Sequence, residues 1–269
     1  MCPCHDAPRR SGLTLVELLL AVSIMTVMAG VLGALATAAH QSAAYSHGHG
    51  TATQHARVAI ERIAGTVSRA TATEGYPGAV VLWEEADGWR FPDTLVVWHP
   101  SGPAANPAGP PLMNELVIFC PDPDSPHQLV EVTAPADTRP VPLNETLNDD
   151  AWRTEFESVA RSSTSRKVVL TNLLRAGALD GSSPRAAVRF ECRLSPTSSQ
   201  WASYQAGTAS FNNLHWPQGM YGSQTGVRQV WVRVELQLLP EQAAGRADPH
   251  GELAIPFFGS ASLYYAMHR

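Results

Sequence analysis

Lysine is almost absent: Lys167 is the only one in 269 residues, and every other basic residue is an arginine. Charge of either sign is sparse, at 16% of the chain, with 19 basic against 24 acidic residues and a formal net of −5. That balance excludes a charge-dominated disordered chain, and it gives no electrostatic reason to expect a phosphate-backbone partner. Glycine-rich phosphate loops are missing, as are G-x-S-x-G and H-E-x-x-H, so nothing marks the chain as an enzyme and none is expected. Cysteine is scarce, with four residues, of which Cys2 and Cys4 lie in the first few positions. No proline interrupts residues 13–70, whereas the remainder is rich in turn formers, with 20 glycines and 21 prolines in the whole chain. The first stretch is free to be helical, and the rest fits a loop-rich sheet domain.

What is present begins with a polar leader, MCPCHDAPRRSG, in which Arg9 and Arg10 stand just before an apolar block at residues 13–39. From Leu18 to Ala39 there are 22 residues without charge. As a helix that run is about 33 Å long, enough for the roughly 30 Å hydrocarbon core of a bilayer. Arginines upstream favour a cytoplasmic amino end, so the rest of the chain should face outward. Glu17 breaks the pattern, sitting between Leu15-Val16 and Leu18-Leu19-Leu20. A carboxylate at that depth costs several kcal/mol unless it is protonated or meets a positive group. Cleavage between Gly12 and Leu13 would create an α-amino group four residues before Glu17. In a staggered helical array, that amine of one subunit could reach the glutamate of the next.

The run RRSG-LTLVE ahead of an apolar helix resembles the class III signal of type IV prepilins and type II secretion pseudopilins. The resemblance implies that a prepilin peptidase cuts after Gly12, that Leu13 becomes the methylated first residue, and that Glu17 guides subunit docking into a filament. Leu13 departs mildly from the usual Phe or Met. The absent helix proline departs from major pilins and leans toward a minor subunit, with Gly30 and Gly33 available for local flexibility. Two other readings of the same block remain open. One is an ordinary secretory signal cut at Ala36-Thr37-Ala38, and the other is a plain signal anchor that tolerates Glu17 near the interface.

Beyond the apolar block, periodicity predicts that the helix continues from about Leu13 to Ala70, with a weak point at Gly48 and Gly50. Ala56, Ala59, Ile60, Ile63, Ala64 and Val67 form its buried stripe, and Arg57, Glu61, Arg62 and Arg69 face elsewhere. Strands are expected at 79–83, 95–99, 116–120, 128–133, 167–172 and 187–194. The clearest spans 227–239, where Val230, Val232, Val234, Leu236 and Leu238 alternate with polar or larger residues. SGPAANPAGPP and CPDPDSP read as loops, 142–166 as a short helix or an irregular excursion, and 240–252 as polar loop. The final IPFFGSASLYYAMHR is apolar enough to dock somewhere.

The expected class is therefore α+β and pilin-like, a long helix packed on an antiparallel sheet. Its parts are a leader at 1–12, a transmembrane half-helix at 13–39, an amphipathic half-helix at 40–72 and a β-rich head at 73–269. The segments QHARVAIERIAGTVSRA and AAVRFECRLSPTSSQW…LHWP…VRQVWVRVELQL, with Trp201, Trp216 and Pro217, are most similar to the J-type minor pseudopilins. That likeness implies a structural subunit of the type II secretion pseudopilus with a priming role at the tip. Its implied partners are the prepilin peptidase, other minor and major pseudopilins and an inner-membrane assembly platform, with no nucleic acid. The implied location is single-pass in the inner membrane, amino end cytoplasmic and head periplasmic. The alternatives are a minor pilin of a type IV pilus or DNA-uptake system, or an exported β-rich binding or hydrolytic domain.

Candidate chemistry elsewhere is thin. Cys120 and Cys192 are a candidate disulfide, the other reading being two separate buried thiols in strands. His40, His47, His49 and His55 lack supporting ligands at metal spacing and read as helix-surface histidines. Asp122, Asp124, Asp149, Asp150 and Asp248 lack the spacing of a calcium loop and read as solvated carboxylates, so no cofactor is expected.

Overall fold

The computed structural model describes residues 14–86, 88–107, 109–142, 146–177, 184–240 and 254–269. The chain divides into two units, one ending at His47 and one spanning Gly48–Arg269. Helix α1 (Leu15–Ser68) begins in the first and ends in the second, and its helical assignment runs unbroken through Gly48 and Gly50.

In the first unit α1 buries none of its large apolar side chains; Leu15 through Leu35 are all exposed. The three hydroxyl residues between Leu18 and Ala39 donate back into the helix: Ser23 to the Leu19 carbonyl at 2.8 Å, Thr26 to Val22 at 2.7 Å and Thr37 to Gly33 at 2.9 Å. The apolar segment thus carries no side-chain hydroxyl in need of water, as a lipid or helix-packed environment requires.

In the second unit α1 buries Ala52, Ala56, Ala59, Ile63 and Val67 along one face. Alanines at the first three positions allow close approach of the sheets; of the stripe read from the sequence Ala56, Ala59, Ile63 and Val67 are buried and Ile60 and Ala64 half-buried, while Ala52 and Thr66 are buried beyond it. The head has a five-stranded antiparallel sheet in sequential order: β1 (Ala79–Ala86), β2 (Trp89–Trp98), β3 (Leu116–Asp122), β4 (Ser125–Thr133) and β5 (Arg166–Thr171). Two short strands, β6 (Ala176–Gly177) and β7 (Arg185–Ala186), pair with each other. A three-stranded antiparallel sheet places β9 (Thr225–Leu238) between β8 (Val188–Ser195) and β10 (Ile255–His268). Helix α2 (Asp150–Arg161) is capped by the Asp149 carboxylate, and α3 (Ser198–Gln205) by a Thr197–Gln200 capping box.

The main core joins the α1 stripe to one face of each sheet: Leu95, Val97, Val117, Phe119 and Leu129 from the first, and the alternating Val230–Leu238 series from β9. A second core lies on the opposite face of the five-stranded sheet, where Val96, Trp98, Ile118 and Val130 meet Phe156 and Val159 of α2. Strands β2 and β3 are therefore buried on both faces, which explains their unbroken apolar runs LVVW and LVIFC. Trp201, Phe211, Leu214, Trp216 and Met267 form a third, aromatic cluster.

Three expectations need correction. The CPDPDSP segment is not all loop: Cys120, Pro121 and Asp122 belong to β3, and the proline sits where the ladder with β4 shifts register, the place a residue without an N–H is tolerated. Arg62 does not simply face away from the core; its guanidinium reaches the carboxylate of Glu131 on β4. The tail does more than dock: Ile255–His268 is a full strand, in continuous register with β9 over its whole length. Most of the expected polar loop before it, including Asp248, lies outside the described residues.

Candidate functional site

The residues that carry the signal are at the start of α1. Thr14 is the first described residue, and Gly12 and Leu13 lie outside the described residues. The Thr14 hydroxyl accepts from the Glu17 backbone N–H at 3.3 Å, while the Glu17 carboxylate accepts from the Thr14 backbone N–H at 2.9 Å and from its hydroxyl at 3.0 Å. This is a reciprocal capping box, satisfying N–H groups that a helix start leaves open. It also puts a negative charge in the first turn, where the helix dipole favours it.

Glu17 therefore has a local partner that the reading of an isolated carboxylate among leucines overlooked. The signal was legible: threonine followed three residues later by glutamate, ahead of an apolar run, is a helix-start signature. Both bonds fall on Oε2, and among the described residues Oε1 accepts none. The cap is thus carried by one carboxylate oxygen alone.

Downstream of this cap, α1 is long and apolar enough to cross a membrane, the one such helix among the described residues. Its exposed face extends all round the helix, since Leu18, Leu19, Leu20, Val22, Ile24 and Met25 are each exposed. Such a surface needs lipid or other helices around it.

The other residues singled out by sequence do not converge. Cys120 and Cys192 are both free thiols and not a disulfide. The reason is placement: Cys120 belongs to the core shared by β3 and α2, while Cys192 on β8 packs against the core beneath α1. Burial pushes each thiol up to about 12, so neither is a nucleophile at neutral pH. His55 Nδ1 lies 3.2 Å from Thr171 Oγ1 on β5, which gives that histidine a hydrogen bond into the sheet. Trp201 and Trp216 stand edge to face, with ring centroids 6.4 Å apart, and build the aromatic cluster.

Sequence reasoning missed a cleft of about 360 Å³ beside α2, lined by Glu84, Asp93, Cys120, Asp122, Arg153 and Arg161 among others. Its charges are largely answered from within: Glu84 takes both guanidinium nitrogens of Arg185, Lys167 pairs with Asp122 at 3.1 Å, and Arg161 reaches Asp124 at 3.5 Å. Asp93 is the exception. It accepts from Thr94 Oγ1 at 3.0 Å, and desolvation, opposed in part by that bond, pushes its carboxyl up to about 6. These groups come from β1, β2, β3, α2, β5 and β7, spread over about a hundred residues of sequence, so no local pattern marks them.

No curated protein and no solved structure matches the chain. Residues 7–33 match the family model of the prokaryotic N-terminal methylation motif, a segment that includes Gly12, Leu13, the Thr14–Glu17 cap and the first turns of the exposed apolar helix. The chain carries the class III amino-terminal signal of type IV prepilin- and pseudopilin-like proteins, followed by a long apolar helix and an antiparallel β head.

Proposed function

We propose that this protein is a minor pseudopilin, a structural subunit of a type II secretion pseudopilus that acts in priming assembly at the tip. The reading rests above all on the match at residues 7–33, with Glu17 four residues after the cleavage-site Leu13. The prepilin peptidase cuts after Gly12 and methylates the new amino terminus at Leu13. Before assembly the apolar half of α1 holds the chain in the inner membrane, with Arg9 and Arg10 on the cytoplasmic side and the head in the periplasm.

The assembly platform then transfers the helix from lipid into the filament. Lipid contacts are exchanged for contacts with the helices of other pseudopilins, and Oε1 of Glu17 receives the amino group of a neighbouring subunit's Leu13. The capping box assists this step, because it fixes the carboxylate's rotamer before the neighbour arrives. The missing helix proline supports a minor subunit, and the likeness of the Trp201–Trp216 region to J-type minor pseudopilins supports the secretion machine over a type IV pilus or DNA-uptake system. The work is assembly and not catalysis, and it needs no cofactor.

The test is the amino-terminal sequence and mass of the mature chain, made in hosts with and without the prepilin peptidase. A peptidase-dependent start at N-methyl-Leu13 is expected. A start at Ala39, or an intact leader in both hosts, would overturn the filament reading and favour an exported β domain. The machine is then decided by pull-down of the processed chain, in which other minor pseudopilins are expected and pilus retraction components are not.

A further inference from the structure

The five-stranded sheet is split at one end. Strands β2 and β3 pair where Leu95 to Trp98 run opposite Phe119 to Leu116. Beyond that register β2 reaches back to Trp89 and β3 runs on to Asp122, and the two strands part. The cleft of about 360 Å³ lies in this split, with Asp93 and Thr94 from one strand and Cys120 and Asp122 from the other among its lining. Leu82, Ile118, Phe156 and Ala160, all next to α2 or part of it, supply an apolar wall. Pro121, Pro123, Pro126 and Pro184 also line the cleft and bring no backbone N–H to it.

The charge around this cleft does not balance. Glu84, Asp93, Asp122 and Glu157 line it, and Asp124 and Asp150 pair with its arginines. Against these six carboxylates stand four cations, Arg153, Arg161, Lys167 and Arg185. Arg161 serves two acids, Glu157 at 3.3 Å and Asp124 at 3.5 Å. Arg153 donates to the Trp83 carbonyl at 3.0 Å and lies 3.6 Å from Asp150, while Arg185 holds Glu84 and stacks on Phe91. Asp93 is left with a neutral donor, the Thr94 hydroxyl at 3.0 Å. Desolvation, opposed by that bond and by Arg185 and reinforced by Glu84, holds its carboxyl up at about 6. Across the split, burial and then the charge of Asp93 push the Cys120 thiol up, so the two groups lie within electrostatic reach. A carboxylate kept from water without a cation is costly, and a cation brought to it removes that cost.

We infer that this cleft takes one basic side chain, a lysine or an arginine, from a protein partner, with its charged head against Asp93 and its aliphatic stem along Leu82, Ile118 and Phe156. Such stems pack on apolar walls while the head keeps polar company, which matches a cleft that is apolar on one side and rich in acceptors on the other. The volume is that of a side chain and not of a bare ion, and among the described residues no three His, Cys, Asp or Glu side chains are placed to hold a metal. A protein suits the site better than a free diamine. Arg161, about half exposed beside the cleft, repels a second positive end, whereas the amides of a peptide are neutral there. The site belongs to the head alone, so it holds for whichever filament the chain joins.

The test titrates the full chain in detergent with the N-acetyl methylamides of lysine, arginine and norleucine, read by calorimetry against the same detergent without protein. At about pH 8 the two cationic probes are expected to bind with Kd on the order of millimolar, and the norleucine probe at least about tenfold more weakly. Lowering the pH to about 5 should weaken the cationic probes about tenfold, because the proton then competes for Asp93. Asp93→Asn, with a melting curve to show that it folds, should weaken them about tenfold at the higher pH and remove the pH dependence. Norleucine binding as well as lysine, an affinity that survives Asp93→Asn, or no binding of either cationic probe would overturn the inference. So would tighter binding of cadaverine than of the capped lysine, which would assign the cleft to a free amine.

Discussion

Arg62 and Glu131 meet in a two-pronged ion pair, Nε to Oε2 and Nη2 to Oε1, each at 2.6 Å, across 69 residues of sequence. The Glu131 side chain is buried while about half of the Arg62 side chain remains in water. The pair fixes the amphipathic end of α1 against β4, because the planar fork of an arginine matches a carboxylate in only a few orientations.

Replacing Arg62 by alanine should therefore leave Glu131 buried and unanswered. A loss of about 1–3 kcal/mol is expected, less than for a fully buried pair because Arg62 is partly solvated. Arg62→Lys should recover less than half of it, and Arg62→Ala with Glu131→Leu should lose less than Arg62→Ala alone. Thermal melts of the detergent-solubilised chain would decide this, and equal melting of all variants would show the pair to be inert.

Glu115 should hold the proline-rich loop in place. Its carboxylate is buried and accepts from Trp98 Nε1 at 3.2 Å, the Ala105 N–H at 2.6 Å and the Leu112 N–H at 3.0 Å. Glu115→Ala leaves three donors unpaired at about 1 kcal/mol or more each. Limited proteolysis should then cut the variant between Ser101 and Pro111 well before the wild type.

Asp93 should make the head less stable as pH rises. Its carboxyl titrates at about 6 when folded, against 3.8 for a solvated aspartate. The unfolded chain thus releases this proton more readily, so the stabilisation present below about pH 4 is lost as pH climbs through 6. Asp93→Asn should melt higher than wild type at pH 8, by at most about 3 kcal/mol for a shift of this size, and equally at about pH 4. A constant difference at all pH values would assign the effect to packing instead.

Both core thiols should be silent in the native protein. In the processed chain, iodoacetamide at about pH 8 should leave Cys120 and Cys192 unmodified when folded and label both after denaturation without reductant. Labelling of neither after denaturation would require a disulfide and contradict their separation into two cores.

Glu17 should separate processing from assembly. Glu17→Ala is expected to be cut normally after Gly12 yet to fail to enter filaments, whereas Thr14→Ala, which removes only the hydroxyl half of the cap, should slow assembly without abolishing it. Mass of the mature chain reads the first step, and cross-linking into sheared filaments reads the second.

Much of this was determined by sequence alone, because local patterns report local physics. The uncharged run from Leu18 to Ala39, the Ala56–Ala59–Ile63–Val67 stripe and the alternation in Val230–Leu238 each state a helix or strand and the face it buries. The Thr14–Glu17 cap was equally local, since its two residues lie one helical turn apart. Tertiary structure alone decided what depends on which elements become neighbours. Arg62 and Glu131, Glu115 and its loop, and Asp93 beside Glu84 and Arg185 meet through topology, which no periodicity encodes. The same holds for the thiols: only the arrangement of β3 and β8 places them in separate cores. The tail read as merely apolar because its alternation is between half-buried and exposed positions. Pairing with β9 along its whole length makes it a strand, a contact that no local pattern in the tail encodes.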